Sequence, residues 1–466
     1  MTSKTQLEAR LSVYFIYTVL FTLFLFKMFF YANEIKDYPD QTAQLSYVVY
    51  MQEHPSKMVP EFEQIKMVAQ KDKPDGADIE HTELKKETQT CYLGHPPLYY
   101  KLLQICNVIN IEQGKIYAHI SKIYDINICL TAFTMIMILN FGFQRLLKTQ
   151  VHWSIHFMYA AICTCLPLYG YVGSGINNDN LCNLGMVVFL VGISCYLEQG
   201  RCYKAYWLAG IGILLCFLSK LTSGLIVLVV CIVLGLLEFW KNKNLQLVCN
   251  KFFISTLPLY LATGSYFIAL YVRYGTVQPK YSRIASAEEF KNSSFYVEEA
   301  LRTKLSFWED SVHFFKGLIN TWVSTYSEDY MVTRSGWMAV PFLLVLLLFF
   351  AQGAFGFYAI VKKQNLTITV MPFLFVVACS ITIAVQFASH RSSYLASGYL
   401  GGYQARYYMP CLPAVAFGAC SFVQRFYRGQ RKNGCCMLSA WMIFFGLWMI
   451  YADFVYFVVS YYRLSV

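Results

Sequence analysis

The sequence has few charged residues for its length. Asp, Glu, Lys and Arg make up 14% of its 466 residues, whereas 57% are hydrophobic and 17% are aromatic. This composition excludes an ordinary soluble domain, in which about a quarter of the residues are charged. A helix that crosses a bilayer needs about 20 mostly apolar residues. The sequence therefore predicts an all-α polytopic membrane protein with about eleven transmembrane helices, at 11–31, 122–144, 153–173, 181–197, 203–219, 221–239, 252–272, 337–361, 367–389, 406–424 and 437–459.

Several motifs of well-known enzyme and transporter classes are missing. There is no phosphate-cradling P-loop and no dinucleotide fingerprint, which argues against nucleotide chemistry. No internal repeat or pair of inverted halves is evident, which disfavours a secondary transporter. The spacing of the candidate ligands in the first long loop matches no compact metal motif, so no metal site is predicted and a divalent metal cofactor has no support. These ligands are His54, His81, Cys91 and His95.

The net charge of +11 is spread over short loops instead of forming one patch. Loops rich in Lys and Arg face the cytoplasm. This distribution favours a lipid bilayer as the partner and argues against nucleic acid. With eleven spans in the cell membrane, the N-terminus is cytoplasmic and the long loops 32–121 and 273–336 are extracytoplasmic. The basic loops lie at 145–148, 201–204, 241–251, 362–363 and 425–432.

Each long outer loop is predicted to carry a short interfacial helix. The apolar residues of 41–52 lie near one helical face, and residues 53–91 are polar and predict a partly mobile loop. Apolar residues recur every three or four positions from 301 to 322 in the second loop, which predicts an amphipathic helix. That helix either rests on lipid headgroups or covers a lipid substrate.

Asp40 is the main candidate for chemistry. A carboxylate just outside the first span can act as a general base that removes a proton from an acceptor hydroxyl. The alternative is that Asp40 is the N-cap of the helix over 41–52. Asp37 is a second candidate carboxylate, or a solvated turn residue.

The segment Gly94-His95-Pro96-Pro97-Leu98-Tyr99-Tyr100 closes the first outer loop. Its prolines restrict the backbone, so His95 is predicted to lie on a rigid, extended approach to a new helix. His95 either binds a phosphate or orients the base, or it is a turn histidine held by the backbone. Tyr99 either stacks on a sugar or anchors the chain at the interface.

Four further residues at the outer ends of the spans are candidates for substrate binding. Asp179 follows two asparagines in the chain. It is predicted either to contact substrate or to cap a helix. Lys220 separates two spans, and Arg406 stands with Tyr407 where an outer loop enters a span; each cation either binds a lipid phosphate or snorkels to the headgroups. Lys27, near the outer end of the first span, is predicted to snorkel.

An ordered set of landmarks resembles the bacterial multi-pass glycosyltransferases of the GT-C superfamily. The resemblance is to the branch related to the lipid A aminoarabinose transferases and the protein O-mannosyltransferases, and it covers residues 39 to 410. The landmarks are Pro39-Asp40-Gln41, His95-Pro96-Pro97-Leu98-Tyr99-Tyr100, Asn177-Asn178-Asp179, Ser219-Lys220-Leu221-Thr222-Ser223-Gly224 and Gln404-Ala405-Arg406-Tyr407-Tyr408-Met409-Pro410.

The resemblance implies a catalytic membrane module over 1–424, followed by a basic cytoplasmic loop and a last helix over 425–466. It implies transfer of a sugar from a polyprenyl-phosphate donor to a glycan, lipid or protein acceptor on the outer face. The base of the family maps onto Asp40. Basic residues that bind the lipid phosphate map onto Lys220 and Arg406.

The chain departs from the family beside the predicted base. Relatives usually have a glutamate after the aspartate and often a histidine a few residues on, whereas this chain has Gln41 and Gln44. Two alternatives therefore stay open. One is a lipid-linked saccharide transporter or polymerase component, and the other is an inactive relative of the transferases.

Overall fold

The computed structural model describes residues 3–35, 38–70, 82–147, 153–243, 247–323, 336–362, 367–428 and 432–464. Asp37, His81, Lys148, Lys363 and Arg431, which the sequence analysis assigned to loops, lie outside these ranges. So does the part of the second outer loop from 324 to 335.

The described chain is mainly helical. The helices are α1 (Ser3–Phe30), α2 (Gln41–Glu53), α3 (Leu98–Ile105), α4 (Ile120–Leu147), α5 (Trp153–Thr164), α6 (Pro167–Ser174), α7 (Asp179–Gln199), α8 (Tyr203–Ser219), α9 (Leu221–Asn242), α10 (Lys251–Tyr274), α11 (Tyr281–Ile284), α12 (Ala287–Lys291), α13 (Phe307–Val323), α14 (Gly336–Val361), α15 (Met371–Ser397), α16 (Leu412–Arg428) and α17 (Lys432–Leu464). A π-helical turn, Tyr31–Ile35, follows α1.

Eight helices of the described chain are long and apolar enough to cross a membrane, and the pair α5 and α6, bent by 49°, would make a ninth span. Large apolar side chains on them point outward, as expected for helices that face lipid: Phe15, Leu261 and Val272 are 71%, 69% and 80% exposed. The prediction of a multi-pass, mainly helical membrane protein is confirmed, but the count of eleven is not.

Two predicted spans differ from the observed helices. The helix α8 has 17 residues, which is short for a span. The predicted span 406–424 begins too early, because Ala405–Cys411 forms a 3₁₀ helix and α16 starts at Leu412. Pro410 lies inside this 3₁₀ segment and has no amide hydrogen to donate to a helix ladder.

A small antiparallel sheet in the first long loop corrects two predictions. The sequence predicted only helices, and a partly mobile loop over 53–91. The sheet has the strand order β1-β2-β4-β3. Gln113 and Gly114 join β3 to β4 with positive φ angles of 50° and 79°, the geometry of a tight hairpin turn. The strands are β1 (Lys66–Gln70), β2 (Thr82–Thr90), β3 (Ile109–Glu112) and β4 (Lys115–Ala118).

The helix α2 matches the predicted range but not the predicted environment. All residues from Ala43 to Met51 are buried, so α2 is not an interfacial helix with one apolar face. It packs against α3 and β1, which cover its polar side. The rings of Tyr47 and Tyr100 stack with centroids 3.7 Å apart, and Tyr100 donates a hydrogen bond of 2.7 Å to Gln44.

The helix α13 has the predicted amphipathic pattern, although it begins at Phe307 and not at 301. On its outer face Trp308, Phe315 and Ile319 are 74%, 46% and 47% exposed. Its inner face buries Asp310 and Phe314 completely. Such a helix can lie on a lipid surface with its apolar side outward.

Lys27 does not snorkel as predicted. It is buried in α1, pairs with Asp453 of α17 and donates a hydrogen bond of 3.1 Å to the carbonyl oxygen of Thr164. A lysine inside an apolar span is costly without a partner. The carboxylate of Asp453 therefore removes the need for Lys27 to reach the headgroups.

Substitution of one partner should destabilise the protein more than substitution of both. Lys27→Met leaves Asp453 buried without a counter-charge, and we expect a loss of about 3 kcal/mol of stability, whereas Lys27→Met with Asp453→Leu should recover most of it. Thermal unfolding in detergent measures both. Equal losses in the single and double variants would contradict the pair.

Candidate functional site

A cavity of about 760 Å³ is lined by residues from the two long loops, 32–121 and 273–336, and from the ends of several long helices. Among the residues predicted from sequence, Asp40, His95, Lys220, Arg406 and Tyr407 line this cavity. They come from four separate segments, so the fold brings distant parts of the chain to one place. Asp179 and Tyr99 are fully buried and lie behind the lining residues.

Asp40 is held by two partners from distant parts of the chain. Tyr92 donates a hydrogen bond of 2.6 Å to Oδ1 of Asp40. The guanidinium of Arg406 forms an ion pair with Oδ2. The side chain of Asp40 keeps 25% of its surface exposed, whereas that of Arg406 keeps 8%. The carboxylate is thus the more accessible member of the pair.

The structure corrects the alternative in which Asp40 caps a helix. Asp40 stands at the N-cap position of α2, but its side chain makes no capping hydrogen bond. Its backbone has φ of 61°, in the left-handed region, where aspartate is tolerated better than most residues. A residue in this strained region is more typical of a functional position than of a simple cap.

The partners of Asp40 keep it ionised. Burial alone would raise the pKa of its carboxyl group, but the charge of Arg406 and the hydrogen bonds from Tyr92 and Arg406 outweigh burial and lower the pKa to about 2. Burial and the neighbouring carboxylate raise the pKa of Tyr92, so its hydroxyl stays protonated and can donate. A carboxylate with so low a pKa is a weak base in this state.

A second ion pair lies beside the first. Lys220, at the break between α8 and α9, is 4% exposed and pairs with Asp179 at the start of α7. Its ammonium nitrogen lies 4.5 Å from the centre of the Tyr407 ring. The Arg406 guanidinium lies 5.8 Å from the same ring. Tyr407 therefore contacts both cations of the site.

These contacts correct three predicted alternatives. Lys220 and Arg406 do not snorkel, because each is buried and paired with a carboxylate. Asp179 does not cap α7 with its side chain; the backbone amide of Asp179 instead donates to Oδ1 of Asn177 at 3.0 Å. Asp179 is therefore free to neutralise Lys220.

Tyr99 has a structural position that neither sequence interpretation anticipated. Its hydroxyl donates to Oδ1 of Asn127 at 2.9 Å and accepts from the backbone amide of Asn177 at 2.9 Å. Asn180 also donates to Asn127, at 2.8 Å. This buried network fixes the segment that carries Asn177, Asn178 and Asp179. Tyr99 thus supports the cavity wall and does not line the cavity.

His95 lies half-buried on the predicted extended approach to α3. Burial and the nearby charge of Lys220 lower its pKa to about 4, so the imidazole is neutral at pH 7. Gly94 precedes it because a Cβ there would lie 2.3 Å from the carbonyl oxygen of Pro279. The two outer loops therefore touch next to the histidine.

The inner part of the cavity offers unpartnered hydrogen-bond donors. In the described structure, Nε and one terminal nitrogen of Arg406 and the amide nitrogen of Asn177 are buried without a hydrogen-bond partner. Buried polar groups usually have partners. Unpartnered guanidinium and amide donors in two lining residues suit an anion with several oxygen atoms.

The outer part of the cavity is polar. Ser389, Ser393 and Ser397 project into it from one face of α15, and Lys280 of the second outer loop donates to Ser393 at 2.9 Å. Phe295 contacts three other lining rings: its centroid is 5.1 Å from Tyr92, 5.4 Å from Tyr281 and 5.1 Å from Tyr399. Hydroxyl groups beside aromatic rings suit a ligand with several hydroxyls.

Sequence reasoning missed Tyr92, Asn127 and the serines of α15. No local signal separates Tyr92 from the other tyrosines, of which the chain has 36 in all. The serines at 389, 393 and 397 are spaced by four and so share a helical face, a signal that was present. These serines lie at the end of an apolar span, where polar residues do not stand out.

The described residues contain no group of three or more His, Cys, Asp and Glu side chains that could hold a metal ion. Gln41 stands where relatives in the resembled family have a second acid, and Gln41 accepts a hydrogen bond of 3.4 Å from Tyr124.

No protein-family model matches the chain, and a search among curated proteins gives no significant match.

Replacement of Arg406 should remove the ion pair that keeps the Asp40 carboxyl group ionised. In Arg406→Gln we expect the pKa of Asp40 to rise from about 2 to above its usual value, because burial then dominates. Difference infrared spectroscopy against Asp40→Asn follows the carboxylate band with pH. Lys280→Gln, in the same cavity, is the control and should leave the band unchanged.

An unchanged titration in Arg406→Gln would contradict the ion pair. The lowered pKa of Asp40 also makes the stability of the folded state depend on pH. Because the folded pKa lies below that of the unfolded chain, the pair stabilises the folded state above about pH 4, and this contribution is lost as the pH falls to about 2.

Proposed function

We propose that this protein is a membrane glycosyltransferase that moves a sugar from a polyprenyl-phosphate donor to an acceptor at the outer face. One observation carries the proposal: Asp40, Arg406 and Lys220 line a single cavity, with a carboxylate next to two cations. The same three positions match the landmarks by which the sequence resembles the GT-C transferases.

The donor phosphate would bind at the inner end of the cavity. Arg406 has two unpartnered nitrogen atoms there, and Asn177 has one. A phosphate that bonds these donors competes with Asp40 for the guanidinium and with Asp179 for Lys220. Phosphate and guanidinium form strong, directional hydrogen bonds, so this exchange is favourable.

The exchange would convert Asp40 from a weak base to a stronger one. With Arg406 turned to the phosphate, burial is the main remaining effect on the carboxylate and raises its pKa. Asp40 would then take a proton from the acceptor only after the donor has bound. This order makes the basicity of Asp40 depend on donor binding.

The chemical step balances with one base and no general acid. The acceptor oxygen attacks the anomeric carbon, its proton goes to Asp40, and the bond from that carbon to the phosphate oxygen breaks. The leaving polyprenyl phosphate keeps the electron pair. Arg406 and Lys220 would stabilise the charge that develops on it. Attack from the side opposite the phosphate inverts the anomeric centre.

The polar outer part of the cavity would hold the hydroxyl-bearing parts of the substrates. The serine face of α15 offers hydrogen bonds, and Tyr92, Phe295 and Tyr399 offer ring surfaces. His95 is neutral at pH 7, so it would contribute a hydrogen bond but no positive charge to the site.

Turnover should depend on Asp40. Purified protein with radiolabelled polyprenyl-phosphate sugars and membrane extracts as acceptor should label a product, and Asp40→Asn should lower the rate by roughly a hundredfold or more. Asp125→Asn, an exposed carboxylate of α4, is the matched control. Equal rates for the wild type and Asp40→Asn would end the case for this base.

Binding of the lipid phosphate should itself change Asp40. Addition of polyprenyl phosphate without sugar should raise the pKa of Asp40 in the wild type, because the phosphate competes for Arg406. The infrared titration measures this rise. In Arg406→Gln the lipid should cause little further change, and an equal rise in both proteins would show that Arg406 is not the group displaced.

A further inference from the structure

The backbone just before Arg406 is held by side chains of two other helices. Residues 398 to 404 connect α15 to the 3₁₀ helix, Ala405–Cys411, that carries Arg406. Three hydrogen bonds hold this connection, two near its middle and one where the 3₁₀ helix begins. They are His390 Nδ1 to the Gly401 oxygen at 2.8 Å, Gln386 Nε2 to the Gly402 oxygen at 2.8 Å, and the Ala405 amide to the Thr321 hydroxyl at 2.9 Å.

This connection needs support from outside. It contains Gly401 and Gly402, the latter with φ of 82°, and Gly398 at the end of α15 has φ of 75°. Glycines allow a wide range of backbone conformations, so the segment does not fix its own path. Groups that bind substrate charges must be held within about 0.5 Å of their working positions.

His390 is the most strongly fixed of the three supports. It is 3% exposed, and its Nε2 lies 2.9 Å from Oδ1 of Asp310, which is fully buried in α13. Arg391 pairs with the other oxygen of Asp310 at 3.1 Å. Both nitrogens of His390 thus face acceptors, a carboxylate and a carbonyl.

From this geometry we infer that Asp310 and His390 act together as positioning residues for the proposed transfer: Asp310 orients the imidazole, which holds Gly401 and so sets how Arg406 meets Asp40. The inference rests on the proposed function of Arg406. Neither residue touches the reacting atoms. The contacts also link the exposed apolar face of α13 to Arg406, because Asp310 lies on the opposite face of that helix.

Two substitutions of His390 separate its two bonds. An asparagine amide lies near the position of Nδ1 and can still donate to Gly401, whereas a glutamine amide lies near Nε2 and can bond only Asp310. His390→Asn should therefore keep the Asp40 pKa close to the wild-type value. His390→Gln should raise it by roughly one pH unit, because the contact of Arg406 with Asp40 loosens.

The infrared titration of Asp40 measures both variants, and thermal unfolding measures their stability. A merely structural role would lower the stability of both variants and leave their Asp40 titrations alike. In the Arg406→Gln background, His390→Gln should cause no further shift, because its effect passes through Arg406. If His390→Gln fails to fold, Gln386→Met, which removes the bond to Gly402, should raise the Asp40 pKa instead.

Equal titration in His390→Gln, His390→Asn and the wild type would overturn the inference, as would a shift that persists without Arg406. Either result leaves the labelling experiment untouched. Failure of the proposed transfer would show up differently, as absence of labelled product from the wild type with these pKa shifts intact.

Discussion

The ion pair between Asp40 and Arg406 is the constraint on which the site depends. It joins residues 366 positions apart, one before α2 and one before α16. A partly buried ion pair contributes little net stability, because desolvation offsets most of the attraction. Its value here is geometric: it requires the first outer loop and the segment after α15 to meet at the same place. Tyr92 contacts Asp40 and Tyr407 contacts Arg406, so the two rings lie beside the ion pair.

The sequence was most informative where local chemistry decides the structure. Apolar runs located the long helices, since burial or lipid contact is needed wherever such runs occur. The prolines after His95 gave an extended approach and a helix start. The polar landmarks at the ends of the spans gave Asp40, Lys220 and Arg406, because charges are rare enough in this chain to stand out. Those residues do line one cavity.

The rest depended on contacts between segments distant in sequence. Asp453 lies in the last helix, and only the approach of α17 to α1 makes it the partner of Lys27. The sheet was missed because β2 pairs with β1 and β4 across the loop, although Gln113-Gly114 was a local hairpin signal. Tyr99 was expected at a surface and lies in a network with Asn127 that no periodicity reveals.

The two carboxylates of the site also bear on specificity. A cavity lined by free Arg406 and Lys220 would attract any anionic lipid headgroup at the membrane surface. Here each cation is already paired, Arg406 with Asp40 and Lys220 with Asp179, so an anionic ligand competes with a carboxylate at each cation. Only a ligand that offers several well-placed oxygen atoms gains enough from both cations to compensate. The ring of Tyr407 contacts both Lys220 and Arg406. A shift of either cation therefore changes a contact with the ring that the other cation shares. In the free protein both cations are paired within the site, and under the proposed function the donor phosphate would gain from contacts with both of them.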